Sequence, residues 1–130
     1  MTFLKHLRWA LLWALVILVL CVLPGRDIPS FWWAEILSLD KWVHAGMFCV
    51  LVLLLVRGLR RHYGVLDPRS RLMLWWIIAC IAYGGALEIM QGALLADRSA
   101  DVLDFLANAF GCGLGWWWIR KKEPQMGAEA

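Results

Sequence analysis

The chain has 130 residues, of which 62% are hydrophobic, and its mean hydropathy is +0.66. It carries 10 tryptophans and a net charge of +3. The charged fraction of 18% excludes disorder driven by self-repulsion, and the large apolar fraction points to a lipid bilayer rather than to water. The length allows one domain, in which four helices of about 20 residues each can cross a bilayer.

Four apolar segments follow one another along the chain, none interrupted by proline. We predict spans at residues 7–24, 40–57, 71–92 and 101–119 of a single transmembrane domain covering residues 1–130. The first segment follows basic residues, as in a signal peptide, but no small-residue cleavage pattern ends it, so we expect it to be retained. In the outer connection at residues 24–41, the prolines and glycine at residues 24–29 break the chain, and residues 30–39 are predicted to form a short helix in the membrane interface. The predicted fold is therefore an all-α polytopic bundle of four transmembrane helices.

Each apolar segment contains one cysteine. The four are Cys21, Cys49, Cys80 and Cys112. A disulfide framework is typical of small, loop-rich domains that lack a core, which this chain does not resemble. We therefore expect the cysteines to be free packing residues.

The basic residues are divided unevenly between the connections. Ten of the 13 Lys and Arg residues lie in the N-terminal segment, the connection between spans two and three, and the C-terminal segment; the other three are Arg26, Lys41 and Arg98. Because cytoplasmic connections are enriched in Lys and Arg, both termini are predicted to be cytoplasmic. The basic residues are spread over three short segments, so we expect no nucleic acid partner.

Polar residues within the spans indicate a candidate site. They are Asp40 and His44 in the second span, Glu88 and Gln91 in the third, and Asp101, Asp104 and Asn108 in the fourth. Ionisable side chains are costly in a bilayer unless they meet a partner or water, so they mark function by default. Helical spacing places the members of each set on one face, and the rise per residue places all three sets near the outer surface. The sequence therefore predicts one polar site there.

Small residues accompany this site. Gly111 and Gly115 lie on the same face of the fourth span as Asn108, with a spacing that allows close approach of another helix. We expect Gly84 and Gly85 of the third span to receive them.

These motifs resemble those of the VanZ-like family of small bacterial membrane proteins. They are Asp40-Lys41 with His44 and Phe48, then Tyr83-Gly84 with Glu88 and Gln91, then Arg98, Asp101, Asp104, Asn108, Gly111 and Gly115. The resemblance covers about residues 24–119. It implies a cell-envelope protein of the bacterial inner membrane whose namesake is associated with resistance to the glycopeptide antibiotic teicoplanin. It supplies no established reaction.

We interpret the site as one that binds or modifies a lipid-linked or cell-surface substrate. The candidate catalytic residues are His44, Glu88 and Asp104, and the candidate substrate-binding residues are Asp40, Lys41, Gln91, Arg98, Asp101 and Asn108. Arg and Lys suit a phosphate or carboxylate, and a histidine with two carboxylates suits acid–base chemistry. The residues leave open whether a reaction occurs.

Three alternatives use the same side chains. A divalent metal ion could bind to His44, Asp40, Glu88 and Asp104, but a single histidine without a known ligand spacing disfavours this, so we assign no metal or other cofactor. A homo-oligomer could carry protons or ions along the carboxylates. The third alternative is a purely structural network of ion pairs.

Overall fold

The computed structural model describes residues 2–22, 39–94 and 102–122, except the side chains of residues 39 and 40. These residues form four α-helices and no strand: α1 Thr2–Val22, α2 Leu39–Tyr63, α3 Arg71–Leu94 and α4 Val102–Lys122. The prediction of an all-α fold is confirmed. The interfacial helix predicted at residues 30–39 lies outside the described residues, except for residue 39, which belongs to α2.

Three of these helices are long and apolar enough to cross a membrane, namely α1, α2 from Lys41 onward, and α3. Such helices indicate a membrane protein. Helix α4 has 21 residues but is not among them, since glycines, tryptophans and Asp104 lower its hydropathy. A fourth crossing, by α4, stays a prediction.

The connection between α2 and α3 is built from local hydrogen bonds. Gly64 ends α2 with a φ of 81°, a left-handed conformation that favours glycine, and its N–H donates to the Arg60 carbonyl oxygen at 2.9 Å. Ser70 begins α3, because its Oγ accepts a hydrogen bond from the Met73 N–H at 3.2 Å. Both helix ends are thus fixed by residues next to them in the sequence.

Consecutive helices are antiparallel, so that α2 and α4 run in the same direction and make the most extensive contact in the bundle. Glycine makes this contact possible. Gly111 lies directly against the backbone of Ala45, with no room for a methyl group between them. One turn further along α4, a Cβ on Gly115 would lie 3.2 Å from the Val52 side chain. The two helices therefore touch along their backbones.

The expectation that Gly84 and Gly85 of α3 receive this glycine face is wrong. A Cβ on Gly84 would instead lie 3.0 Å from the Cβ of Asn108, and one on Gly85 would lie 3.2 Å from the Phe105 ring. Helix α3 therefore packs against the turns of α4 that precede Gly111, and the glycine face is left for α2.

Helix α1 is attached to its neighbours by three side chains that donate hydrogen bonds to backbone carbonyl oxygens. Trp13 Nε1 donates to the Met47 carbonyl oxygen at 2.9 Å, Tyr83 Oη donates to that of Ala14, and Gln91 Nε2 donates to that of Cys21 at 2.9 Å. The buried core between the helices includes Ile17, Phe48, Val52, Met73 and Cys112. All four cysteines are free thiols, as expected.

Candidate functional site

Polar side chains gather at the end of the bundle where α2 and α4 begin and α3 ends. We call Lys41, His44, Glu88, Asp104 and Asn108 the polar cluster. The histidine and the two carboxylates each place one nitrogen or oxygen atom within 4.8 Å of the others. Glu88 is 4% exposed, so its carboxylate lies in the bundle interior. The structure thus brings together the three side chains that the sequence predicts as catalytic.

The parallel contact between α2 and α4 explains why these side chains meet. Lys41 and His44 are three residues apart on α2, and Asp104 and Asn108 are four apart on α4, so each pair lies on one helix face. Since the helices run in the same direction, the first residue of one pair lies beside the first residue of the other pair, and the second beside the second. Lys41 faces Asp104, and His44 faces Asn108 one turn further in.

The His44–Asn108 hydrogen bond orients the imidazole. His44 Nδ1 lies 3.0 Å from Asn108 Oδ1. Because this oxygen only accepts, the hydrogen bond requires a proton on Nδ1, and in that tautomer Nε2 keeps its lone pair. The asparagine thereby selects the tautomer in which His44 offers a hydrogen-bond acceptor.

The amide nitrogen of the Asn108 side chain is a second feature of this residue. Its side chain is 1% exposed, and Nδ2 has no hydrogen-bond partner among the described residues. A buried, unsatisfied donor costs about 1–3 kcal/mol. A water molecule or a ligand group that accepts from Nδ2 would recover this cost, which favours a polar occupant beside the cluster.

Lys41 and Asp104 form the outer part of the cluster. Lys41 Nζ lies 3.3 Å from Asp104 Oδ1, and the two side chains are 29% and 17% exposed. An ion pair this accessible contributes little stability by itself, because solvent and other charges screen it. Its position at the cluster's edge leaves the ammonium group accessible to an anion.

An apolar groove of about 410 Å³ adjoins this ion pair between α2 and α4. Besides Lys41, its lining includes Trp42, Leu103, Leu106 and Phe110. The groove is not predicted by the polar motifs, because apolar residues line it apart from Lys41. The available signal was the spacing of apolar residues 103, 106 and 110 on the helix that also carries Asp104 and Asn108.

The other predicted substrate-binding residues are placed differently. Gln91 is buried, and its Nε2 donates to the Cys21 carbonyl oxygen of α1, so its observed contact joins two helices. The side chain of Asp40, and all of Arg98 and Asp101, lie outside the described residues. Substrate binding by these four residues stays a prediction.

Three helices that are long and apolar enough to cross a membrane indicate a helical membrane protein. A family model described as VanZ/LLP1 matches residues 4–122. The chain therefore belongs to the VanZ/LLP1 family, and the resemblance drawn from the motifs is confirmed. No curated protein and no solved structure matches the chain.

Proposed function

We propose that this protein is a cell-envelope component of the bacterial inner membrane and that its polar cluster binds the charged head of a lipid-linked or cell-surface substrate. Membership of the VanZ/LLP1 family supports the envelope assignment. The excess of Lys and Arg in the terminal segments and in the connection between α2 and α3 supports four crossings with cytoplasmic termini. The polar cluster then lies near the outer face.

One observation carries this proposal: the polar cluster and an apolar groove lie side by side, with Lys41 belonging to both. A substrate with an anionic head and a long hydrocarbon chain would match both parts, with its head at the polar cluster and its chain in the groove. Its phosphate or carboxylate would pair with Lys41 at the exposed edge of the cluster. Its chain would lie along Trp42, Leu106 and Phe110, which are exposed on the surface of the bundle.

The cluster also suits acid–base chemistry on such a substrate. His44, oriented by Asn108, offers Nε2 as a general base toward a water molecule. Glu88, less than 5 Å away, is a candidate acid for the leaving group. Lys41 beside Asp104 would stabilise negative charge on a phosphate. Hydrolysis or transfer of the head group is therefore the reaction class that we propose to test.

Binding can be measured by native mass spectrometry with undecaprenyl phosphate as the probe. We expect Lys41→Gln to weaken binding about tenfold, because a charge-assisted hydrogen bond contributes roughly 1.5–3 kcal/mol. The matched control is Lys121→Gln, which removes the same charge from an exposed site at the other end of the bundle. Equal affinities of these two variants would contradict a site at Lys41.

The groove can be tested without changing any charge. Leu106→Trp would fill the groove, whereas Leu114→Trp places the same side chain on an exposed part of α4 that does not line it. We expect only Leu106→Trp to weaken binding of the long-chain probe. Binding of a short-chain phosphate should be unaffected, because it does not need the groove. Equal affinity of both variants for the long-chain probe would remove the groove from the proposal.

Glycopeptide resistance is the physiological role that family membership suggests for this site. We expect expression of the protein in a susceptible host to raise the inhibitory concentration of teicoplanin. His44→Gln, Glu88→Gln and Asp104→Asn should each abolish the increase at equal protein levels. An unchanged inhibitory concentration with the unaltered protein would exclude resistance and leave substrate binding to be judged by the binding assay.

A metal-dependent form of this function is a second candidate, favoured by one nitrogen and two carboxylate oxygens within 4.8 Å of one another. The positive charge of Lys41 beside Asp104 opposes it. Metal content after purification without chelators decides between the two forms. One zinc or manganese per chain, lost in Glu88→Gln, would support a metal site; much less than one per chain would exclude it.

A further inference from the structure

A second cavity lies between α1 and α2 at the end of the bundle away from the polar cluster. It has a volume of about 310 Å³ and is lined by His6, Trp9, Leu54, Arg57, Gly58 and Arg61. We call it the basic pocket. Two arginines and a histidine contribute to it, and none of the described residues that line it is acidic. The proposed function above makes no use of it.

Close packing of α1 on α2 forms the base of the basic pocket. Gly58 is buried, and a Cβ at this position would lie 2.7 Å from the His6 carbonyl oxygen. Arg57 and Arg61 lie on either side of Gly58, one helical turn apart, so their side chains extend from the same face of α2. Two like charges at this spacing repel each other, and an anion bound between them would relieve the repulsion.

His6 adds a hydrogen-bonding group to the two arginines. Its Nδ1 is buried and has no hydrogen-bond partner among the described residues. The centroid of the His6 ring lies 5.7 Å from that of His62, a second histidine that is not part of the pocket lining. An oxygen atom bound by the arginines could therefore also accept a hydrogen bond from His6.

The remaining walls of the basic pocket are apolar. Leu54 lies one turn nearer the middle of α2 than Gly58, and Trp9 is 52% exposed on α1. The Arg8 guanidinium lies 5.4 Å from the centre of the Trp9 ring, within the range of a cation–π interaction. Charged groups on one side and apolar groups toward the membrane match the junction between a lipid head and its chains.

From these contacts we infer that the basic pocket binds the phosphate group of an anionic glycerophospholipid. Arginine holds phosphate through paired hydrogen bonds, and two arginines with one histidine can engage several of its oxygens. Basic pockets between transmembrane helices bind lipid head groups in this way. The apolar walls favour a lipid over free phosphate, and this site acts independently of the polar cluster.

Native mass spectrometry of the detergent-purified protein tests the pocket with three probes: phosphatidylglycerol, phosphatidylcholine and inorganic phosphate. We expect phosphatidylglycerol to bind most tightly. Arg57→Gln with Arg61→Gln should weaken its binding at least about tenfold, by the usual strength of charge-assisted hydrogen bonds. His6→Phe, which keeps a ring but removes its nitrogen atoms, should weaken it by a smaller factor.

The matched control is Arg69→Gln with Arg71→Gln. It removes two exposed arginines from the same end of the bundle but outside the pocket. We expect this variant to bind phosphatidylglycerol as the unaltered protein does. If both double variants lost phosphatidylglycerol binding equally, general attraction between charges would explain the binding, and the proposed site in the basic pocket would be wrong. Equal binding of inorganic phosphate would overturn the lipid assignment, and equal binding of phosphatidylcholine would overturn the requirement for an anionic head.

Discussion

Gly111 in α4 lies against the backbone of Ala45 in α2 so closely that no side chain fits between them. This contact sets the distance between the polar residues of the two helices. His44 precedes Ala45 by one residue, Asn108 precedes Gly111 by one turn, and the two side chains meet at 3.0 Å. The hydrogen bond that orients the candidate general base therefore depends on the small size of Gly111, although Gly111 takes no part in that hydrogen bond.

Gly111→Ala should destabilise the protein. The added methyl group must push α2 and α4 apart, and overpacking of this kind costs about 1–3 kcal/mol. Thermal unfolding in detergent measures the effect. Gly113→Ala is the control, since a Cβ there meets nothing within 4 Å and alanine favours the helix. Equal melting temperatures for Gly111→Ala and the unaltered protein would contradict the close contact.

The His44–Asn108 hydrogen bond should appear as a coupling energy. In a double-mutant cycle of His44→Ala and Asn108→Ala, we expect a coupling of about 0.5–1.5 kcal/mol in the free energy of unfolding. Unfolding with a denaturing detergent provides the measurement. The control cycle combines Asn108→Ala with His62→Ala at the other end of the bundle, where the two changes should be additive. Additivity in both cycles would contradict the bond.

The positions of the helices could be predicted from the sequence more accurately than their lengths. Apolar segments indicate where a chain meets hydrocarbon, so the four predicted spans fall on the four observed helices. Helix α2 continues beyond residue 57 through a basic stretch to Tyr63, because water can solvate its charges and basic residues complement the C-terminal end of the helix dipole. Hydropathy therefore indicates the part of a helix that can lie in hydrocarbon, and not the full length of the helix.

The five members of the polar cluster are all among the residues predicted from the sequence, but the neighbours of each helix could not be predicted. Helical periodicity places Glu88 and Gln91 roughly 60° apart around α3. Because α3 contacts both α1 and α4, this angle is enough to turn Glu88 toward the polar cluster and Gln91 toward Cys21. Gly111 likewise faces α2 rather than α3. Periodicity identifies a face, and only the packing of the whole bundle decides which helix covers it.

Gln91→Leu should loosen the attachment of α1. It removes the hydrogen bond to the Cys21 carbonyl oxygen, which is worth about 1 kcal/mol, while a similar side-chain volume is kept. In a variant whose other cysteines are replaced by alanine, we expect Cys21 to react faster with N-ethylmaleimide. Ile89→Leu, on the exposed side of α3, is the control and should leave the rate unchanged. An unchanged rate in Gln91→Leu would mean that packing alone holds this end of α1.

The predicted orientation can be tested by reporter fusions. Because most Lys and Arg residues flank the spans on one side, the C terminus should be cytoplasmic. A fluorescent protein fused there should fluoresce, and alkaline phosphatase at the same position should be inactive. Insertion of either reporter at residue 97, between α3 and α4, should give the opposite pair of results. The same result at both positions would show that α4 does not cross the membrane, and reversed results would place the polar cluster near the cytoplasm.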